Sequence, residues 1–190
     1  MPSTPRVRDA KLLDALEALG GGPVKRTVWR VVRQGRDPCL CSQSGGRWDD
    51  GTFDVLYTAF DRDGAVAEMD FHRRKGQPIP PSKPAYALHA LFVSFENAVT
   101  LPTLDSLAAL GVDAARYGRL AYQERQAEYP RTQDIAEAAH FLGHDGLIAP
   151  NARFDCLNAV LFCDAVSPDA YWAEADHGPV DFAAWRAARP

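Results

Sequence analysis

A single α+β domain, with central mixed or antiparallel sheets flanked by helices, is what this sequence predicts. Three observations point to it. The chain has 190 residues, 46% of them hydrophobic and 24% charged, a size and balance suited to one core. Apolar runs rich in β-branched and aromatic residues are interspersed with stretches of helical periodicity without the strict alternation of a parallel α/β sheet. There is no internal repeat or low-complexity tract that would suggest an array or a linker.

Taken in order, residues 9–19 place Leu12, Leu13, Leu16 and Leu19 at helical spacing before Gly20-Gly21-Gly22 stops the run, which predicts a short amphipathic helix docked on the domain. Residues 28–32 and 53–58 have strand character and are separated by a loop rich in Gly, Ser and Asp. From 61 to about 75 the pattern turns helical, with Ala65, Met69 and His72 on one stripe and a basic C-terminal end. Four prolines between 76 and 84 require an irregular connection. Strand character resumes at 85–94 and 97–101. Residues 103–143 read as mainly helical, interrupted at Tyr129-Pro130 and capped again at Thr132. Residues 146–149 and 158–163 are short apolar strands, and 181–188 form a closing helix.

Charge and cysteine usage exclude several classes. Lys plus Arg total 21 against 25 Asp plus Glu, a formal net charge of −4, which argues against a protein that coats nucleic acid. No stretch approaches the roughly 18 apolar residues of a membrane span, and residues 1–8 lack the apolar core of a secretory signal. A cytoplasmic location is expected, with the four cysteines as free thiols. Cys39, Cys41, Cys156 and Cys163 match no usual zinc spacing, and no metal is expected. His140 and His144 read as capping or core histidines. Signatures of P-loops, Rossmann sheets, zincins and serine hydrolases are missing.

Four residues carry more information. Arg30 stands in an otherwise apolar strand and needs a counter-charge, either an internal carboxylate or an anionic ligand. Arg47 follows two glycines in Ser44-Gly45-Gly46-Arg47-Trp48, where backbone can approach a ligand and a guanidinium supplies a forked donor, or where a simple turn carries a solvated arginine. Tyr57 shares a strand face with Phe53 and Val55, as a core tyrosine or a ligand-facing one. Glu68, with His72 one turn later, is either an exposed i,i+4 pair or a carboxylate in a partly apolar cleft that stabilises positive charge.

Together these segments resemble a known family. Trp29-Arg30-Val31, then Ser44-Gly45-Gly46-Arg47-Trp48, then Val55-Leu56-Tyr57 and Ala65-Val66-Ala67-Glu68, look like the RES domain of bacterial toxin–antitoxin systems. Thr132-Gln133, His144-Asp145-Gly146-Leu147-Ile148, Pro150-Asn151-Ala152-Arg153 and Asn158-Ala159-Val160-Leu161-Phe162 continue the likeness. It spans about residues 28–163, and it divides the chain into an N-terminal helical extension, 1–24, and a RES domain, 25–190. Arg47 and Glu68 match the family's Arg and Glu, while Asn151 stands where its Ser is expected.

The resemblance implies a fold similar to ADP-ribosyltransferase toxins and NAD as substrate, consumed by water or phosphate or used to modify a protein such as phosphoribosyl pyrophosphate synthetase. It implies an Xre-like helix-turn-helix antitoxin as partner. On this reading Glu68, Arg47 and Tyr57 are catalytic, and Arg30, Arg47, Tyr57 and Asn151 bind NAD, the arginines at its pyrophosphate. Neither nucleic acid nor membrane is an expected partner. The alternative is a catalytically inactive RES-like module that binds a partner protein or a nucleotide. Residues 25–47 carry a net +5 within this acidic chain, which suits capture of a small polyphosphate.

Overall fold

The computed structural model describes residues 7–75, 85–119 and 125–189. Along these the chain forms α1 (Ala10–Leu19), β1 (Gly22–Arg33), β2 (Val55–Ala59), α2 (Arg62–Lys75), β3 (Tyr86–Thr100), α3 (Leu104–Ala109), α4 (Arg125–Phe141), β4 (Gly146–Pro150), β5 (Leu157–Phe162), β6 (Tyr171–Pro179) and α5 (Phe182–Ala187). The predicted 76–84 connection lies outside the described residues. No helix among the described residues is long and apolar enough to cross a membrane.

The six strands form one mixed sheet in the order β1-β2-β5-β4-β3-β6, with β1 also pairing β3. That extra pairing closes β1, β2, β5, β4 and β3 into a circuit and leaves β6 outside. Only β3 and β4 run parallel; the other pairs are antiparallel. The β1–β3 ladder is long, running from Gly22↔Ala98 to Arg33↔Tyr86, whereas β1 meets β2 at a single pair, Trp29↔Ala59. The circuit is therefore weakly joined at one seam, and the cavity described below is lined by residues on both sides of it.

Three packed clusters hold the fold. Leu12 and Leu16 of α1 join Ile135, Ala136 and Ala139 of α4, Val99, Leu147 and Phe162 from the sheet, and Trp48 and Phe53 from the loop before β2. Val28, Leu56, Leu91, Phe95, Ile148 and Leu161 make a second cluster. Val31, Ala65, Val66, Leu88 and Phe182 seat α2 and α5 on the sheet. The N-terminal helix thus shares a core with α4, and Arg131–Asp9 and Arg8–Glu137 ion pairs reinforce the contact.

The α+β class is as predicted, and the local reading changes at five points. The strands expected at 85–94 and 97–101 are one strand, β3, because Phe95 is fully buried and the Asp145 carboxylate accepts the Glu96 and Asn97 N–H groups at 2.6 and 2.9 Å. Helix α4 runs through Pro130, since the packing of Ile135, Ala136 and Ala139 outweighs local propensity. Thr132 is inside that helix, its hydroxyl donating to the Tyr129 carbonyl at 2.9 Å. Strand β6 has no apolar signal in the sequence because nearly every residue is exposed; it is held through its ladder to β3. Finally, Cys41 and Cys163 are joined in a disulfide, with Cα atoms 6.6 Å apart, and only Cys39 and Cys156 are free. The antiparallel pair Val55↔Phe162 and the Ser42↔Val55 bridge bring together two cysteines 122 residues apart, a proximity that their spacing could not reveal.

Candidate functional site

A cavity of about 350 Å³ opens where β1, β2, α2 and the loop before β2 meet. The loop is shaped by Asp49, whose fully buried carboxylate accepts the N–H groups of Gly45 at 2.8 Å, Gly46 at 2.9 Å and Gly51 at 3.0 Å. Gly45 has φ +65, a left-handed conformation that favours glycine. A Cβ on Gly46 would stand 2.6 Å from the Tyr57 hydroxyl, so the second glycine is needed for close approach. Gln133 of α4 clamps the same loop, donating to the Gly46 and Asp49 carbonyls at 2.8 and 3.0 Å. Tyr57 completes it: its hydroxyl accepts the Trp48 N–H at 2.8 Å and donates to Asp49 at 3.3 Å. Burial and the neighbouring Asp49 raise the Tyr57 pKa well above 10, so the phenol stays protonated.

That loop aims Arg47 inward. Its Nη1 forms a buried ion pair with Glu128 of α4, and the same Glu128 oxygen accepts the Gly118 N–H at 2.7 Å. Tyr117 and Tyr129 receive the guanidinium on their rings, 4.5 and 5.0 Å from their centroids. Burial opposes the charge, but Tyr117 and Glu128 outweigh it and raise the Arg47 pKa. Arg30 reaches the cavity from β1, with its Nη1 donating to the Pro38 and Leu40 carbonyls at 2.7 and 2.9 Å. It has found backbone dipoles there instead of the internal carboxylate that one reading required. Burial lowers its pKa to about 10, so it is a cation at neutral pH.

Glu68 enters from α2. One oxygen accepts the Ala152 N–H at 3.2 Å and the other lies 4.0 Å from His72 Nε2. Burial pushes the His72 pKa below 6.5; the Glu68 charge pulls the other way, and Arg153 and Arg47 add to the lowering. At neutral pH the imidazole is uncharged and adds no positive charge beside Glu68.

Across from α2, the turn after β4 is built by Asn151. Its Oδ1 accepts the Arg153 and Phe154 N–H groups at 2.7 and 3.0 Å, and its Nδ2 donates to Asn158 Oδ1 at 2.8 Å. The cavity lining therefore includes Arg30, Arg47, Tyr57 and Glu68 together with Arg153 and Asn158, while Asn151 sits behind it as the turn's organiser. Asp49, Glu128, Gln133 and Arg153 were not singled out from the sequence. A carboxylate three residues after Gly46 is a local signal that would have found Asp49; Glu128 has none. Of the basic 25–47 segment, Arg30 and Arg47 line the cavity, while Lys25 pairs with Glu96 and Arg26 lies on the Phe60 ring. His140 stacks on Phe53 and pairs with Asp164, and His144 lies 3.2 Å from the Asn97 carbonyl. Among the described residues no cluster of His, Cys, Asp or Glu is arranged to hold a metal ion.

Residues 27–183 match the family model of the RES domain. No curated protein is a significant match. Among solved structures, the chain is similar to one in the M.tuberculosis MbcT-MbcA toxin-antitoxin complex, at 19% identity over 95% of this chain and 98% of that one, with a TM-score of 0.73. At that identity the likeness is one of fold.

Proposed function

The chain belongs to the RES domain family, and on that premise we propose that it is the toxin of a bacterial toxin–antitoxin pair and cleaves NAD between nicotinamide and ribose. The observation that carries this reading is Glu68: among the described residues it is the one carboxylate on a cavity wall that also carries aromatic faces and the cations Arg30, Arg47 and Arg153. Cleaving the bond generates an oxocarbenium-like ribose, and a fixed carboxylate is the complement to that charge. Nicotinamide leaves as a neutral molecule from a pyridinium, so no general acid has to be positioned. The Ala152 N–H fixes one Glu68 oxygen and keeps the carboxylate directed at the cavity.

The remaining roles follow from how each group is held. Tyr57 has its hydroxyl committed to the loop, so it offers its ring face for stacking on nicotinamide. Arg47 and Arg30 each have one guanidinium nitrogen already engaged, and they contribute positive potential toward the pyrophosphate. Asn151 acts through the turn that it organises. ADP-ribose then passes to a protein side chain, water or phosphate, and an Xre-like helix-turn-helix antitoxin is the partner that covers the entrance; the fold shared with a toxin solved in complex with its antitoxin supports that pairing.

Incubating the purified chain with NAD alone, with phosphate, and with cell extract distinguishes the three acceptors by their products. Glu68→Ala is expected to lower the rate about 10² to 10³-fold, the effect of removing one electrostatic stabiliser. Intact NAD in all three mixtures, or a change below tenfold on Glu68→Ala, refutes the reading.

A further inference from the structure

The cavity holds three arginines, and they differ in how they are satisfied. Arg47 is paired with Glu128 through Nη1, and Arg30 is turned toward the carbonyls of Pro38 and Leu40. Among the described residues Arg153 is held through its flat face: its guanidinium lies 3.2 Å from the centroid of the Phe71 ring. Its Nε is buried with no hydrogen-bond partner. A buried charged N–H without an acceptor is costly to maintain, and the stacking on Phe71 fixes the plane in which the remaining donors point. The neighbouring Glu68 does not fill the vacancy, since its oxygens face the Ala152 N–H and His72. Burial lowers the Arg153 pKa while the Glu68 charge opposes that shift.

We infer that Arg153 forms an anion subsite on the turn side of the cavity and takes a phosphate of the pyrophosphate bridge in the bound dinucleotide, an assignment that rests on the NAD-cleaving reading. A planar guanidinium matches paired phosphate oxygens bidentately. The turn explains why the residue is placed there: Asn151 accepts the Arg153 backbone N–H, and the Ala152 N–H is tied to Glu68. The group that binds the phosphate and the group that stabilises the ribose are thereby registered to one another through one residue of backbone.

Calorimetric titration of the full chain with inorganic pyrophosphate and, separately, with nicotinamide riboside tests this without requiring turnover. Arg153→Gln is expected to weaken pyrophosphate binding at least tenfold, about 1.4 kcal/mol, and to change nicotinamide riboside binding less than twofold. Arg153→Lys falls between, because an ammonium supplies charge without the fork. Pyrophosphate that fails to bind the wild-type chain, binds Arg153→Gln equally well, or loses affinity only in step with nicotinamide riboside overturns the assignment; the last outcome makes Arg153 a support for Glu68. Pyrophosphate binding that depends on Arg153 in a chain that leaves NAD intact sustains the subsite and refutes the proposed reaction.

Discussion

Replacing Asp49 by Asn should both destabilise the domain and slow its proposed reaction, and the magnitude can be worked from the bonds. The carboxylate is fully buried and takes three backbone N–H groups at 2.8–3.0 Å. Asn keeps one oxygen, which can serve Gly45 and Gly51, but sets an NH₂ against the Gly46 N–H. The Ser44 and Tyr57 hydroxyls can rotate to accept from that NH₂; the backbone N–H cannot. One buried donor left unpaired costs about 1–3 kcal/mol, and two charge-assisted bonds reduced to neutral ones lose roughly 1 kcal/mol each. The expected loss is about 3–5 kcal/mol, a large share of the roughly 5–15 kcal/mol that holds a domain together, and it corresponds to about 12 °C in melting temperature for a chain of this length. Urea unfolding followed by tryptophan fluorescence and far-ultraviolet circular dichroism measures it. Because the loop carries Arg47 and packs on Tyr57, NAD cleavage should fall at least tenfold even below the transition. A destabilisation under about 1 kcal/mol would show that the loop does not depend on this carboxylate and would refute the reasoning.

Three further outcomes can be checked. Glu128→Ala strands the buried Arg47 charge and the Gly118 N–H and should cost about 3–5 kcal/mol, whereas adding Arg47→Ala should restore part of that loss; additive costs in urea melts would deny the coupling. Tyr57 keeps its proton to higher pH when folded than when unfolded, where it titrates near 10. Folding therefore retains a proton that the unfolded chain releases, and stability falls as pH rises above about 10; Tyr57→Phe should flatten melting temperature over that range, and an unchanged slope would contradict the assignment. Alkylation of the denatured, unreduced chain should label the two thiols Cys39 and Cys156, and reduction should lower stability by about 2–4 kcal/mol; four labelled thiols before reduction would rule out the Cys41–Cys163 bond.

Most of the secondary structure was legible because it is encoded locally. The periodicity of α1 and α2, the glycine stop at Gly20 and the apolar runs of β2, β4 and β5 express short-range rules. The misread elements are those decided at a distance. The continuity of β3 depends on Asp145 and that of α4 past Pro130 on its core face, while β6 has no alternating pattern because it hangs on the sheet with both faces largely exposed.

The site divides along the same line. Arg30, Arg47, Tyr57 and Glu68 could be named from the sequence because charged or hydroxyl-bearing residues among apolar neighbours, or beside paired glycines, are locally conspicuous. Their gathering around one cavity could not, and neither could the partners that give each a distinct chemical state: Asp49 for Tyr57, Glu128 for Arg47, and the Ala152 N–H for Glu68. Arg153 has no local signal of its role, which follows from the fold's burying its Nε away from any acceptor. The sequence by itself determined the α+β class, the family resemblance and the residue types available for chemistry, because these reside in composition, periodicity and ordered motifs. Only the tertiary structure decided which arginine is neutralised, which cysteines meet and which asparagine braces instead of lining, because burial and counter-charge are properties of neighbours brought together from distant parts of the chain.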